Sequence, residues 1–391
     1  MAAEVLATAG VAVTVVEKMP SVGRKLLLAG RGGLNLTHTE PLPCLLGRYG
    51  PAEERLAQAI SGFGPDDLRV WCAGLGEATF VGSSGRVFPR SFRATPLLRA
   101  WLGRLDGLGV ERCVRSTWRG WDDEGALLIE GPDGLQRLHP KVTVLAMGGA
   151  SWPRVGSDGA WVPALAAAGV AVAPLRPANC GFLARWSPIF TERFAGGSLK
   201  NVRLSHQGAS VRGDTTITTH GIEGGPVHLL SASLRAEIDA AGSAVLGVDL
   251  HPDLSIAALR DRLTRARVKD SQATVLKRAG GLQPIAVALL REATGNRLPT
   301  GPAALALAIK HVSITLIGTS PIERAISTAG GVGLDQLDAS FMLRARPGTF
   351  VVGEMLDWEA PTGGYLLQAT FSTAVHAARA AAVFARAGDG R

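Results

Sequence analysis

Thr349-Phe350-Val351-Val352-Gly353-Glu354-Met355-Leu356-Asp357, followed by Pro361-Thr362-Gly363-Gly364-Tyr365-Leu366-Leu367-Gln368, is the stretch on which the fold turns. Residues 349–352 read as a buried strand, rich in β-branched and aromatic side chains and closed by glycine and an acid. The glycine pair then opens an alanine-rich helical pattern over 367–387. One end of a strand therefore carries two carboxylates, Glu354 and Asp357, beside the amide-bearing, electropositive start of a long helix. A strand–turn–helix with capping glycines accounts for either half alone, but poorly for both together. Gly353, Glu354, Asp357, Gly363, Gly364 and Gln368 are thus candidate ligand-binding residues.

The pattern repeats outward from there. Residues 142–147 form an apolar strand emptying into Gly148 and Gly149, and the stretch runs on through Ser151-Trp152-Pro153-Arg154-Val155-Gly156. At the start of the chain, residues 1–10 read as a helix ended by Gly10, residues 11–16 as a buried strand, and Glu17 as the acid that follows it. In a dinucleotide-binding βαβ unit that acid takes the ribose hydroxyls. A first strand and a G-x-G-x-x-G turn are expected ahead of Met1, so the chain reads as N-terminally truncated. Between residues 21 and 37, Gly23, Gly30, Gly32 and Gly33 alternate with Arg24, Lys25, Asn35 and Thr37. Glycines let backbone amides approach a phosphate or a flat ring closely, and Arg24 or Lys25 can offset pyrophosphate charge. An ordinary glycine-rich surface loop explains the Gly30–Gly33 run equally well when taken by itself.

Composition narrows the class. With 391 residues, 46% of them hydrophobic, the chain can bury more than one core. Cys44, Cys72, Cys113 and Cys180 form no C-x-x-C pair and have no histidine at metal spacing, so no disulfide scaffold or metal site is expected. The longest charge-free apolar run, 160–175, is too short to cross a bilayer and is broken by Pro163 and Gly169. The protein reads as cytoplasmic. The net charge of +8 suggests an anionic partner, although only seven of the 41 basic residues are lysine, which fits a genome-wide arginine bias. The order of elements is α/β, then β-rich, then helical, then strand–loop–helix again. This gives a first domain over 1–175, a β-rich insertion over 176–255, a helical insertion over 256–320 and a return to the first domain over 321–391.

With these residues in view, the sequence resembles the BaiN/RdsA-like family of bacterial NAD(P)/FAD-dependent oxidoreductases, also labelled aminoacetone-oxidase-like flavoproteins. The segments that carry the resemblance are 23–37, 85–89, 145–159, 214–226 (DTTITTHGIEGGP), 328–332 (TAGGV) and 353–368 (GEMLDWEAPTGGYLLQ). They span nearly the whole chain in order. The resemblance implies an α/β fold: a two-dinucleotide-binding-motif FAD (Rossmann-like) domain, split by inserted β-barrel-like and small helical domains. It also implies FAD and NAD(P)H as cofactors, with Glu354 toward the ribityl hydroxyls and the helix start toward the flavin. Many relatives carry a cysteine where this chain has Leu34, so no thiol chemistry is assigned there.

Flavin chemistry leaves the protein to supply a proton donor and a shaped pocket. His220, His38 and Tyr365 are the catalytic candidates, each beside a glycine loop or a matching segment; a lone histidine is more often structural. The expected activity is reduction of a C=C bond with NAD(P)H, uridine to dihydrouridine in ribosomal RNA being one form. The alternatives are a reductase of a small conjugated carbonyl, or a flavin-binding scaffold inactive as truncated. Partners are then the small-molecule cofactor and, as a candidate, ribosomal RNA; no metal and no membrane are expected.

Overall fold

Thr14–Glu17 lies parallel to Glu111–Val114, and Thr349–Val351 lies parallel to Thr143–Leu145. Parallel pairing of short apolar strands separated by helices is the mark of an α/β sheet covered on its faces. These elements belong to the computed structural model of the chain, which describes residues 1–29, 32–267 and 269–387. The chain divides into two units: Met1–Arg176 with Ser327–Arg391, and Pro177–Ile326.

In the first unit, an antiparallel meander of Thr117–Trp121, Leu127–Gly131 and Gly134–Leu138 follows the strand Glu111–Val114. A smaller antiparallel sheet joins Thr37–His38, Arg86–Pro89 and Thr79–Val81. The helix Tyr365–Ala387 runs 23 residues and buries an alanine face, including Ala369, Ala377, Ala378 and Ala381. Small side chains on that face let the helix approach Ala2–Thr8 and Glu53–Gly62 closely, and Leu6, Leu56, Ile60, Phe350 and Val351 share one core with it.

The second unit is a closed six-stranded barrel. Its order is Phe182–Ala184, Gly221–Glu223, Ala209–Thr218, Ser198–His206, Ala244–Asp249 and Val312–Thr319, which pairs back to the first. Inward residues alternate along the strands, as Val312, Ile314 and Leu316 do. The helices Ile256–Thr264, Gln272–Arg278, Pro284–Ala293 and Pro302–Lys310 fill the connection between the last two strands. Leu259, Leu263, Leu276 and Leu289 are buried in the same core as Leu246 and Leu316, so helices and barrel form one body. Here the structure draws its boundaries differently from the sequence analysis. Residues 256–310 have no core of their own, and Val312–Thr319, expected inside the helical insertion, is the strand that closes the barrel. Closure removes the open edges that two barrel strands would otherwise expose. Among the described residues, no helix is long and apolar enough to cross a membrane.

Candidate functional site

Glu354 stands just past the strand Thr349–Val351, and its carboxylate gathers donors from three segments. Lys25 Nζ donates to Oε2 at 2.5 Å, the Gly149 amide to the same oxygen at 3.3 Å, and the Thr328 amide to Oε1 at 2.9 Å. Lys25 also donates to Ser151 Oγ at 2.8 Å and Ser157 Oγ at 3.2 Å, while Thr328 Oγ1 accepts the amide of Ala150 at 2.9 Å. Ser151 and Thr328 are buried, and the Lys25 and Glu354 side chains are half-buried or less exposed. The structure thus gives Lys25 and Glu354 a first duty toward each other rather than toward pyrophosphate and ribityl groups. Gly149 is required by the same cluster, because a Cβ there would meet Thr328 Oγ1 at 2.2 Å.

A second group forms where the helix Tyr365–Ala387 begins. Thr37 Oγ1 donates to Gln368 Oε1 at 2.6 Å, and Gln368 Nε2 donates to Phe63 O at 2.9 Å, so both residues tie the helix to its neighbours. Gly364, at φ +99°, rests against the Thr37 backbone, which a Cβ would meet at 2.6 Å. The Tyr365 ring stacks on His38 with centroids 5.5 Å apart and 23° between planes. Arg48 lies over that ring, 5.7 Å from its centroid, and holds Glu40 through two bonds of 3.1 and 2.8 Å. Burial first, and then the neighbouring Glu40, push the pKa of the Tyr365 hydroxyl well above the ordinary tyrosine range. Arg48 in turn holds Glu40 below the usual carboxylate range. His38 is committed at both nitrogens. Nδ1 accepts the Glu40 amide at 3.1 Å, so the proton sits on Nε2, 2.8 Å from Ser84 O.

Glu17 forms a third group. Its Oε1 accepts the Met19 amide at 2.8 Å, and Gly156 leaves room for Met19, whose Cγ a Cβ would meet at 2.9 Å. Lys18 and Asp158 pair across the same place at 2.5 Å. Of the remaining candidates, Arg24 donates to Ser21 Oγ, Gly148 accepts from Trp161 Nε1, and Gly353 takes a positive φ beside Thr370. Burial raises the pKa of Asp357. Gly30 lies outside the described residues. His220 is exposed in the turn between two strands of the barrel unit. Sequence reasoning missed Ser151, Ser157 and Thr328, although all three lie inside segments it singled out; nothing in the sequence marked Glu40 or Arg48. Among the described residues, no cluster of His, Cys, Asp or Glu has metal-site geometry.

Two observations match a flavin dinucleotide. Asn35 Oδ1 is buried and has no hydrogen-bond partner among the described residues. The first backbone bond of the helix Tyr365–Ala387 runs from Gln368 N to Gly364 O, which leaves the amides of Tyr365, Leu366 and Leu367 for an outside acceptor. An acceptor and a set of amide donors suit a ring edge that carries both N–H and carbonyl groups.

The chain matches the HI0933-like protein Rossmann domain family over residues 1–380. It is 25% identical over 391 residues to the 3-dehydro-bile acid delta(4,6)-reductase of Clostridium scindens, covering 95% of this chain and 92% of that protein. Its fold is similar to that of the 3-ketosteroid delta1-dehydrogenase from Sterolibacterium denitrificans, with TM-score 0.54, 12% identity, and 98% of this chain and 97% of that one covered. The 3-ketosteroid-delta4-(5alpha)-dehydrogenase from Rhodococcus jostii RHA1 matches with TM-score 0.50 and 15% identity, covering 98% and 93%. The chain belongs to the HI0933-like Rossmann-domain family, and it is an FAD-dependent oxidoreductase built on a Rossmann-type FAD-binding domain.

Proposed function

We propose that this flavoprotein reduces a carbon–carbon double bond conjugated to a carbonyl, with NAD(P)H as the reductant and Tyr365 as the proton donor. The observation that carries the reading is the Tyr365 ring at the start of the helix Tyr365–Ala387, stacked on His38 and facing Arg48, which is itself bonded to Glu40. FAD held against Asn35 and the helix start would supply the two electrons as a hydride to one carbon of the double bond. Burial and Glu40 keep Tyr365 in its protonated form; it gives that proton to the other carbon, so the double bond becomes a single bond with one new C–H bond at each carbon and a phenolate remains. Arg48 then faces that phenolate with a full positive charge, and the His38 stack keeps the ring from turning. His38 itself is a positioning residue, because both its nitrogens are engaged. A steroid-like enone is the favoured substrate class, in keeping with the bile acid reductase relative.

The test is incubation of the FAD-loaded protein with NAD(P)H and a 3-oxo-Δ4 steroid, following the product by mass for the gain of two hydrogens. Tyr365→Phe keeps the stacked ring and loses the proton, so kcat should fall roughly 10²- to 10⁴-fold with FAD retained. Full activity in that variant would remove Tyr365 from the role, and absence of a reduced product with the unaltered protein would remove the reading.

Uridine is the second reading, since its C5=C6 bond is also conjugated to a carbonyl. In its favour, Arg262, Arg265 and Arg267 ion-pair with no carboxylate among the described residues, whereas Arg212 and Arg260 do. Dihydrouridine content of ribosomal RNA from cells with and without the gene discriminates the two: equal content leaves only the small enone.

A further inference from the structure

Phe92 is a large aromatic residue in the left-handed region, with φ +59°, and it is 45% exposed. A bulky side chain in that region persists only where its surroundings hold it. Three contacts do so here. Its ring lies nearly parallel to Phe88, with centroids 4.9 Å apart and 8° between planes, and Phe80 flanks both. Its carbonyl accepts the Leu34 amide at 3.3 Å. Its edge packs on Gly33, where a Cβ would meet Phe92 Cε1 at 2.5 Å, so only glycine fits beneath it. Phe88, Phe80 and Gly33 cover part of the ring, and the residue still keeps 45% of its surface exposed.

The charge along the chain around this ring is basic. Residues 86–99 contain Arg86, Arg90, Arg93 and Arg99 and no acid. None of the four ion-pairs with a carboxylate among the described residues, although arginines elsewhere in the same unit do so repeatedly. Arg90 and Arg93, two residues before and one after Phe92, are exposed. The nearest carboxylate along this turn, Glu77, is bonded to Ser91 Oγ at 2.9 Å.

We propose that Phe92, with Arg90 and Arg93, is the docking platform for the dinucleotide reductant, the aromatic base or nicotinamide packing on the exposed surface of Phe92 and the phosphates on the arginines. Flat rings stack on aromatic side chains whatever their identity, and guanidinium groups take phosphate oxygens in pairs. Contact with Gly33 sets the platform against the 32–37 stretch that carries Asn35, so a hydride donor held there is beside residues assigned to the flavin. The inference rests on the reading of NAD(P)H as reductant given above.

Titration of the oxidised, FAD-loaded protein with NAD+ and with NADP+ measures affinity without hydride transfer. Phe92→Ala should weaken binding roughly ten- to a hundredfold, and Phe92→Trp should restore it. Because Phe92→Ala could disturb the Gly33 contact, Arg90→Gln and Arg93→Gln, each at an exposed site without an ion pair, provide the independent arm. Each should weaken binding about tenfold and flatten its dependence on salt. Failure of the unaltered protein to bind any nicotinamide nucleotide would remove the NAD(P)H reading itself. Tight binding left unchanged in the arginine and alanine variants would remove the platform and leave that reading intact. Loss of affinity for an oligouridylate probe in these variants, with nicotinamide binding preserved, would overturn the proposal in favour of a nucleic acid surface.

Discussion

Lys25 and Glu354 are partners whose side chains keep only 29% and 16% of their surface exposed, so neither has bulk water as a full substitute for the other. Removing one partner leaves a charge with only neutral dipoles: two hydroxyls for Lys25, two backbone amides for Glu354. Breaking a buried pair in this way is costly, and partial exposure here moderates the cost to about 2 kcal/mol. Lys25→Met and Glu354→Gln should each lower unfolding stability by that amount in denaturant titrations. The double variant should lose at least about 1 kcal/mol less than the sum of the two, as coupled neighbours do. Strict additivity would show that the two charges do not depend on each other. The same geometry explains why Lys25 is a poor candidate for pyrophosphate: its ammonium already meets three acceptors.

At the level of elements, the start of the helix Tyr365–Ala387 depends on two glycines with positive φ, Gly363 and Gly364. Gly364 has no room for a side chain, since its Cβ would lie 2.6 Å from the Thr37 backbone. Gly364→Ala should therefore shift the helix start, cost about 2–4 kcal/mol and lower FAD retention. Gly32 is the contrast. A Cβ there meets nothing within 4 Å among the described residues, so Gly32→Ala should change protein stability by less than about 1 kcal/mol. Parallel thermal unfolding and bound-flavin absorbance separate the two cases. If Gly32→Ala unfolds the protein, the open space was misread; if it keeps its stability and loses flavin, that space belongs to the cofactor. The sequence marks both glycines alike, and only their neighbours distinguish them.

For the molecule as a whole, acid should act on the barrel unit through His228, on the short helix Gly225–Leu229. Burial lowers its pKa from 6.5 to about 4. Between those values the unfolded chain takes up a proton that the folded chain refuses. The stability tied to neutral His228 is therefore complete above about pH 6.5 and is lost progressively as pH falls toward 4. The shift corresponds to at most about 3 kcal/mol. His228→Leu should flatten the fall in stability across that window relative to the unaltered protein. An identical pH profile in both would exclude His228 as the sensitive group. The barrel is also where long-range order departs most from the local pattern. Helices were readable over 256–267, 284–294 and 303–310 and lie at Ile256–Thr264, Pro284–Ala293 and Pro302–Lys310, with Gln272–Arg278 unforeseen, but their burial against Leu246 and Leu316 merges two expected insertions into one unit.

What the sequence by itself determined is everything that depends on neighbours along the chain. Apolar runs such as 349–352 and 142–147 specify strands, the alanine pattern specifies the terminal helix, and glycine-to-acid transitions mark the strand ends that bear the site. Hydrophobic period and turn chemistry act within about one element's length, and so they survive without knowledge of the fold. The partners of Glu354 are a different matter. Lys25 lies 329 residues away, and Ser151 and Ser157 reach Lys25 across 126 and 132 residues. Glu40 and Arg48 gain meaning only because Tyr365 folds against them. Val312–Thr319 becomes a closing strand only when Phe182–Ala184 stands opposite it. Such pairings are chosen by shape, burial and charge in three dimensions, and strand propensity in particular depends on what lies across the sheet. Tertiary structure alone decided them.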